Sequence, residues 1–212
     1  MGHIVLLGDS IFDNAAYVAG GPDVRAQLEA LLPPDWRVTL LAVDGHRTQD
    51  VALQLQRLPA DVSHLVMSVG GNDALDHLDF LSSTARSVAD ALGRLAVIAE
   101  AFERAYHQIV RSILQHHLPT ALCTIYYPRF PDQELQQLAI TALTVFNDAI
   151  IREAVLAGIP LLDLRIICDT DADYANPIEP SVAGGAKIAA VIATLVRECD
   201  FTRRRTEAFI SP

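Results

Sequence analysis

Short apolar runs alternate with longer amphipathic stretches along most of the chain. The apolar runs have the length and near-continuous hydrophobicity of strands that are buried on both faces. They predict strands at His3–Leu7, Arg37–Val43, His64–Val69, Ala121–Tyr126 and Pro160–Leu164. The other stretches predict helices near Pro22–Leu32, Thr48–Leu58, Ser82–Gln115, Asp132–Ala157 and Val182–Cys199. This alternation is typical of a parallel sheet with helices on both faces.

The pattern therefore predicts the α/β class: a three-layer α/β/α sandwich around a flavodoxin-like, five-stranded parallel sheet with strand order 2-1-3-4-5. A chain of 212 residues suits one such domain. We expect the domain to span residues 1–200 and residues 201–212, with the basic run Arg203–Arg205, to form a C-terminal tail. In open α/β sheets, ligands bind beyond the carboxyl ends of the strands. Residues that directly follow a predicted strand are therefore the candidates for function.

Composition and charge argue against several classes of function. Hydrophobic residues make up 51% of the chain and charged residues 20%, the balance of a soluble globular protein. A formal net charge of -10 argues against binding to nucleic acid or an anionic membrane. No apolar run is long enough to span a membrane, and the N-terminus lacks the features of a secretory signal, so we expect a cytoplasmic protein. Cys123, Cys168 and Cys199 have no metal-ligand spacing, and we expect free, buried thiols.

Small and polar residues follow the predicted strands. Gly8-Asp9-Ser10 comes after the first strand, Asp44-Gly45-His46 after the second, and Gly70-Gly71-Asn72-Asp73 after the third. Attack by a serine hydroxyl on an ester creates an oxyanion, which needs hydrogen-bond donors already aimed at it. The backbone N–H groups of Ser10 and Gly45 and the side-chain amide of Asn72 would supply three. Their common position at one sheet edge suits acyl transfer.

These segments resemble the SGNH/GDSL hydrolase family of serine esterases and lipases. Gly8-Asp9-Ser10 is similar to the family's nucleophile segment, Gly45 to its second conserved position, and Gly70-Gly71-Asn72-Asp73 to its third. The resemblance extends from Ile4 to about Ala193 and implies the same sandwich fold. It also implies a serine nucleophile, an oxyanion hole and ester substrates, including acetylated small molecules.

The last family segment differs at two positions. The family has an aspartate, two further residues and then the catalytic histidine, whereas this chain has Asn176 and Glu179. Glu179 could replace the histidine as general base, but a free glutamate has a pKa of about 4.3 and is a weak base near neutral pH. A nearby helix N-terminus would lower this pKa further, and burial would raise it. Glu179 could instead interact only with the helix start or with Lys187, while Ser181 caps that helix.

Only two of the seven histidines follow a strand end closely enough to be alternative bases. These are His46, beside Gly45, and His77, five residues after Asn72. We expect His3, His64, His116 and His117 at the opposite end of the sheet and His107 within a long helix.

The acidic residues near the strand ends have no spacing typical of a cation site, so a solvated acidic rim is predicted. These residues are Asp9, Asp13, Asp44, Asp73, Asp169, Asp171 and Asp173. A phosphate-binding loop is excluded because no Gly-Lys-Ser/Thr follows a strand, and a receiver domain because the third strand ends in Gly70 rather than aspartate. We expect neither a metal nor a cofactor.

The catalytic residues predicted from the sequence are thus Ser10, Gly45, Asn72 and Glu179, in a hydrolase of small-molecule carboxylic esters. The helix 82–115 and the loop 127–133 are expected to wall the substrate pocket, with Tyr126, Tyr127 and Phe130 as candidate acyl-site residues. The alternative is a catalytically impaired protein that binds a carbonyl or carboxylate ligand in the same pocket. A purely structural interaction module would explain none of the strand-end segments. The oligomeric state is not indicated by the sequence.

Overall fold

The computed structural model describes residues 2–211. Six strands form one parallel sheet, and two more form a small antiparallel pair. The strands are β1 (Gly2–Gly8), β2 (Trp36–Leu40), β3 (His64–Ser68), β4 (Thr120–Cys123), β5 (Leu161–Leu162), β6 (Tyr174–Asn176), β7 (Glu179–Pro180) and β8 (Ala208–Phe209). The main sheet has the order β2-β1-β3-β4-β5-β8, which confirms the predicted order of the first five strands.

Seven α-helices surround the sheet within the described residues. They are α1 (Val24–Leu31), α2 (Val51–Leu55), α3 (Gly71–Leu75), α4 (Val88–Leu114), α5 (Gln133–Ala157), α6 (Leu164–Ile167) and α7 (Val182–Glu198). Short 3₁₀ helices lie at Ala15–Tyr17, Thr48–Asp50, Leu78–Ser82 and Asp171–Asp173. None of these helices is both long and apolar enough to cross a membrane.

The alternating side chains of β1 show how the three layers form. Ile4 and Leu6 pack with α1, α6 and α7 on one face of the sheet. Val5 and Leu7 pack with α2, α4 and α5 on the other face. Both sets are fully buried, as expected for a central parallel strand whose two faces are covered.

Two predicted boundaries shift because of helix caps. The long central helix begins at Val88 rather than Ser82, since the Ser87 side chain accepts a hydrogen bond from the Asp90 N–H and caps it there. The fifth strand is limited to Leu161–Leu162 because the Asp163 side chain caps α6 directly after it.

The predicted C-terminal tail contributes a sixth strand to the sheet, so the expected count of five was wrong. Within it, β8 pairs in parallel with β5. The Leu161 N–H donates to the Glu207 carbonyl over 2.9 Å, and the Asp163 N–H donates to the Phe209 carbonyl over 3.2 Å. All three cysteines are free; Cys123 and Cys168 are buried as expected, whereas Cys199 is half-buried.

Candidate active site

The end of β1 presents Ser10 through a close approach to β3. Gly8 has a φ of +126°, and a Cβ atom there would lie 1.7 Å from the Ser68 carbonyl oxygen. That carbonyl instead accepts the Asp9 N–H over 3.2 Å. Only glycine allows this backbone conformation and contact. Ser10 follows at the carboxyl end of the sheet with 7% of its surface exposed.

The three predicted oxyanion donors come from the three segments that follow β1, β2 and β3. Gly45 lies in an exposed turn after β2, with a φ of +79° and no atom within 4 Å of the position where a Cβ would lie. Asn72 lies in the first turn of α3, where its Nδ2 donates to the His46 carbonyl over 2.9 Å. This bond ties the loop after β2 to α3 and leaves the second amide hydrogen of Asn72 free to donate. Within residues 2–211, the backbone N–H groups of Ser10 and Gly45 have no protein acceptor.

Glu179 is buried, with 5% of its surface exposed, and interacts with the nucleophile candidate. Burial raises the pKa of its carboxyl group to about 7, a hydrogen bond with the Ser10 side chain partly opposes this rise, and the negative charge of Asp44 adds to it. Its Oε2 atom is buried without a hydrogen-bond partner in the described part of the chain. Burial, which was expected to raise the pKa at this position, is thus the main cause of its value.

The helix start after Glu179 is capped as expected, but the alternative contact with Lys187 was wrong. The Ser181 side chain accepts hydrogen bonds from the N–H groups of Ala183 and Gly184. Lys187 instead forms ion pairs with Asp169 and Asp173, at 2.9 and 2.8 Å.

Asp9 is a second buried carboxyl group at the same site. It is 3% exposed, and its Oδ1 accepts the Ile11 N–H over 3.2 Å. Burial raises its pKa to about 8; the bond from Ile11 opposes this rise, and the charge of Glu179 adds to it. No ion pair joins Asp9 or Glu179 to a basic side chain between residues 2 and 211.

The prediction of a wholly solvated acidic rim was therefore wrong for several members. Besides Asp9, Asp173 is buried; its carboxylate forms an ion pair with Lys187 and accepts a hydrogen bond from the Thr170 hydroxyl. Asp73 is half-buried and accepts the N–H and hydroxyl of Thr48, both over 3.0 Å. The exposed members are Asp44, Asp169 and Asp171. Among the described residues, no group of three or more His, Cys, Asp or Glu side chains is arranged to hold a metal ion.

Ser10, Asn72 and Glu179 line one cavity of about 100 Å³, together with Asp9. Gly45 is not part of its wall. The rest of the wall is largely apolar and comes from α3, the 3₁₀ helix 78–82, α4, α5 and the loop after β4. Its larger apolar members are Leu75, Leu78, Phe80, Leu81, Leu95, Ile98, Ile125, Leu143 and Phe146. Tyr126 and Phe130 line the cavity as predicted, whereas Tyr127 does not. The aliphatic wall residues were not predicted individually, because their helical spacing also fits ordinary core packing.

Of the seven histidines, all of which lie within residues 2–211, His77 alone reaches this cavity. His77 is exposed at its wall, whereas His46 lies outside it with its Nδ1 3.0 Å from Gln54 Nε2. The remaining histidines lie away from the cavity wall, among them His3, buried between Asp61 and Thr39, and His107, paired with Glu153.

The arrangement thus combines a serine hydroxyl, a carboxyl group able to exchange a proton near neutral pH, and several N–H donors beside an apolar cavity. A sequence-family model, described as the GDSL-like Lipase/Acylhydrolase family, matches residues 6–187. The chain belongs to this family. None of the curated proteins matches the GDSL-like chain.

Solved structures similar to this GDSL-like protein include two lipases and an esterase. The lipase Lip_vut3 from a goat rumen metagenome has a TM-score of 0.71 at 16% identity, covering 97% of this chain and 100% of that one. An extracellular lipase from Streptomyces rimosus has a TM-score of 0.66 at 17% identity, covering 88% and 96%. A catalytic mutant of Axe2, an acetylxylan esterase from Geobacillus stearothermophilus, has a TM-score of 0.63 at 17% identity, covering 96% and 98%. At these identities the similarity establishes a shared fold.

Proposed function

We propose that this GDSL-like protein hydrolyses carboxylic esters, with Ser10 as nucleophile and Glu179 as general base. The observation that carries the proposal is the position of Ser10 on the same cavity wall as a buried carboxyl group, that of Glu179, whose pKa is raised to about 7. A base is most effective when its pKa lies near the working pH. A free glutamate is a weak base near neutral pH, but burial raises the pKa of Glu179 to about 7 and so brings it into the working range.

In the first half-reaction, the Ser10 Oγ attacks the ester carbonyl carbon and its proton passes to the ionised Glu179 carboxylate. The carbonyl oxygen becomes an oxyanion that accepts hydrogen bonds from the Ser10 and Gly45 N–H groups and the Asn72 amide. The protonated Glu179 then gives its proton to the leaving alkoxide as the carbon–oxygen bond breaks, which leaves an acyl group on Ser10. Water completes the cycle: it loses a proton to Glu179, attacks the acyl carbon, and Ser10 recovers its proton.

The first test is hydrolysis of short-chain p-nitrophenyl esters between pH 5 and 9. Because Glu179 must be ionised to accept a proton, we expect kcat/KM to rise with pH through about 7. Ser10→Ala should abolish turnover, and Glu179→Gln should lower kcat by about 10²–10⁴-fold.

The matched controls are His77→Gln and His46→Gln, which remove the two alternative bases and should leave kcat within a few-fold of the parent. A loss confined to His77→Gln, with Glu179→Gln still active, would reassign the base to His77. Absence of any Ser10-dependent turnover in a folded protein would favour the alternative, a ligand-binding protein. A carboxylate ligand fits that alternative poorly, since the carboxyl groups of Asp9 and Glu179 already line the cavity.

We further propose that the apolar cavity receives the acyl group and favours acyl chains longer than acetyl. A cavity of about 150 Å³ holds a benzene molecule, so about 100 Å³ accommodates a few methylene groups. Each buried methylene contributes about 0.8 kcal/mol, or roughly fourfold in kcat/KM. Butyrate and hexanoate esters should therefore exceed acetate by about tenfold or more.

Ala142→Leu tests where the acyl chain lies. Ala142 is half-buried and lines the cavity from α5, so a leucine there should remove the preference for longer chains while acetate hydrolysis persists. Ala96→Leu is the matched control, because Ala96 is exposed on α4 and lies outside this cavity. Equal chain-length profiles for the parent and Ala142→Leu would contradict the assignment.

A further inference from the structure

The turn that carries Glu179 is closed by the side chain of Asn176. Its Oδ1 accepts the N–H of Ile178 over 2.9 Å and the N–H of Glu179 over 3.0 Å. Asn176 and Glu179 are also paired across the antiparallel strands β6 and β7. Asparagine and aspartate both close turns in this way, since each offers a side-chain oxygen to the following N–H groups. The hydrogen bonds alone therefore do not explain why the residue is an amide.

The charges around Glu179 give a reason for asparagine rather than aspartate at position 176. The titratable groups that interact with its carboxyl group come from the loops after β1, β2 and β4 and from the first 3₁₀ helix. They are Asp9, Asp44, Tyr126 and Tyr17. None of them carries a positive charge. Lys187, on the adjacent helix α7, is already paired with Asp169 and Asp173. Arg129, whose backbone N–H donates to the Pro177 carbonyl and whose guanidinium stacks over Tyr174, is likewise paired with Asp171. Among the described residues, a further carboxylate at position 176 would therefore meet no unpaired cation.

We propose that Asn176 is a positioning residue for the base: its amide oxygen fixes the turn that carries Glu179 without placing a second negative charge beside it. This inference rests on the proposed role of Glu179. An aspartate at position 176 suits a histidine at position 179, because a carboxylate stabilises the imidazolium formed when the ring takes a proton. A glutamate at position 179 becomes neutral when it takes the proton, and a neighbouring carboxylate would oppose its ionisation beforehand. We therefore expect the effects of substitutions at positions 176 and 179 to be coupled.

A double-mutant cycle tests this coupling, because the same substitution should have opposite effects in two backgrounds. With Glu179 present, Asn176→Asp should move the acid limb of the pH profile upward by about one pH unit and lower kcat/KM several-fold at pH 6.5. In the Glu179→His background, Asn176→Asp should instead raise kcat/KM by about tenfold or more. Asn176→Ala serves as the structural comparison: it removes the turn acceptor and should lower kcat without an upward shift of the limb.

Carbon-13 NMR titration of the glutamate side-chain carboxyl carbons measures the same coupling without turnover. Glu179 is assigned from the signal that is missing in Glu179→Gln, and its midpoint should rise by about one pH unit in Asn176→Asp. A midpoint unchanged by Asn176→Asp, or an effect of the same sign in both backgrounds, overturns the inference. If no variant hydrolyses esters but the midpoint moves as expected, the proposed hydrolase function fails while the coupling between positions 176 and 179 stands.

Discussion

At the scale of single residues, two buried carboxyl groups line one cavity, and neither forms an ion pair within residues 2–211. Asp9 and Glu179 are 3% and 5% exposed, and burial is the main cause of the raised pKa in both. Such groups weaken a fold when they ionise, because charge is removed from water without compensation. Carboxyl groups with raised pKa values in a cavity are typical of functional sites, where groups exchange protons near neutral pH.

Asp9 gives a prediction about stability. Because its pKa is raised from 3.8 to about 8, the folded protein binds this proton more tightly than the unfolded chain does. The stability of the fold therefore decreases as the pH rises from about 4 to about 8. Asp9→Asn keeps the size and the acceptor for the Ile11 N–H but cannot ionise. Its gain in free energy of unfolding should be on the order of 2–4 kcal/mol larger at pH 8.5 than at pH 5.

Urea denaturation at both pH values measures this difference. Asp79→Asn is the control, since Asp79 is exposed and should give nearly the same result at either pH. An equal gain from Asp9→Asn at pH 5 and pH 8.5 would show that Asp9 ionises as it does in water.

The sequence predicted where the site residues lie on the sheet, but not how deeply each of them is buried. Ser10 and Asn72 were predicted at one sheet edge from their positions after strands, and Glu179 from the resemblance to the last family segment; the structure places all three on one cavity wall. The burial of Asp9 was not predictable, because a residue after a strand is exposed or covered according to the loops that close over it. That closure depends on long-range contacts such as the approach of Gly8 to Ser68.

At the scale of elements, the start of α7 is held against the 3₁₀ helix 171–173 by a close backbone contact. A Cβ atom on Gly184 would lie 2.1 Å from the Asp173 carbonyl oxygen, which already accepts the Ser181 N–H over 2.8 Å. The Ser181 hydroxyl adds a 2.6 Å bond to the Ala172 carbonyl. Because Glu179 lies two residues before Ser181, this contact also fixes where the carboxyl group enters the cavity.

Gly184→Ala should therefore displace α7 and lower both stability and turnover. We expect a loss of about 2 kcal/mol or more in the free energy of unfolding, since the neighbour is backbone and cannot rotate away. Gly185→Ala is the matched control on the same helix. Its Cβ would lie 3.0 Å from Gln27 Nε2, the end of a flexible side chain, and alanine favours the helix by up to about 1 kcal/mol.

Thermal unfolding and kcat/KM on one ester would be measured for both variants. Similar values for the two alanine variants would mean that the Asp173 contact does not position the helix. The sequence predicted this helix and its Ser181 cap from ordinary capping preferences. It did not distinguish the two glycines, because only the packed structure shows which one faces another backbone.

At the scale of the whole molecule, the order of the first five strands followed from the alternation of buried strands and helices. The sixth strand was missed because β8 has only two residues and follows a basic, polar segment that is typical of a tail. A strand this short has no periodicity of its own, and its pairing is decided by the exposed edge of β5. The edge is thus completed by the chain's own C-terminal segment.

The pairing of β8 predicts a contribution to stability without a contribution to catalysis. Phe209 packs against the buried core on the side of α1 and α7, and its carbonyl accepts the Asp163 N–H. Phe209→Ala should lower the free energy of unfolding by about 1–2 kcal/mol, less than for a fully buried phenylalanine because the ring is half-exposed. Deletion of residues 207–212 should cost more, since it also removes both hydrogen bonds to the edge of β5. Turnover at a temperature where both variants remain folded should be unchanged, because β4 and β5 separate β8 from β3.

Ile210→Ala, at an exposed position beyond the strand, is the control in urea denaturation. A truncated protein as stable as the parent would show that β8 does not protect the sheet edge in solution, and a loss of turnover at full folding would link this edge to the active site.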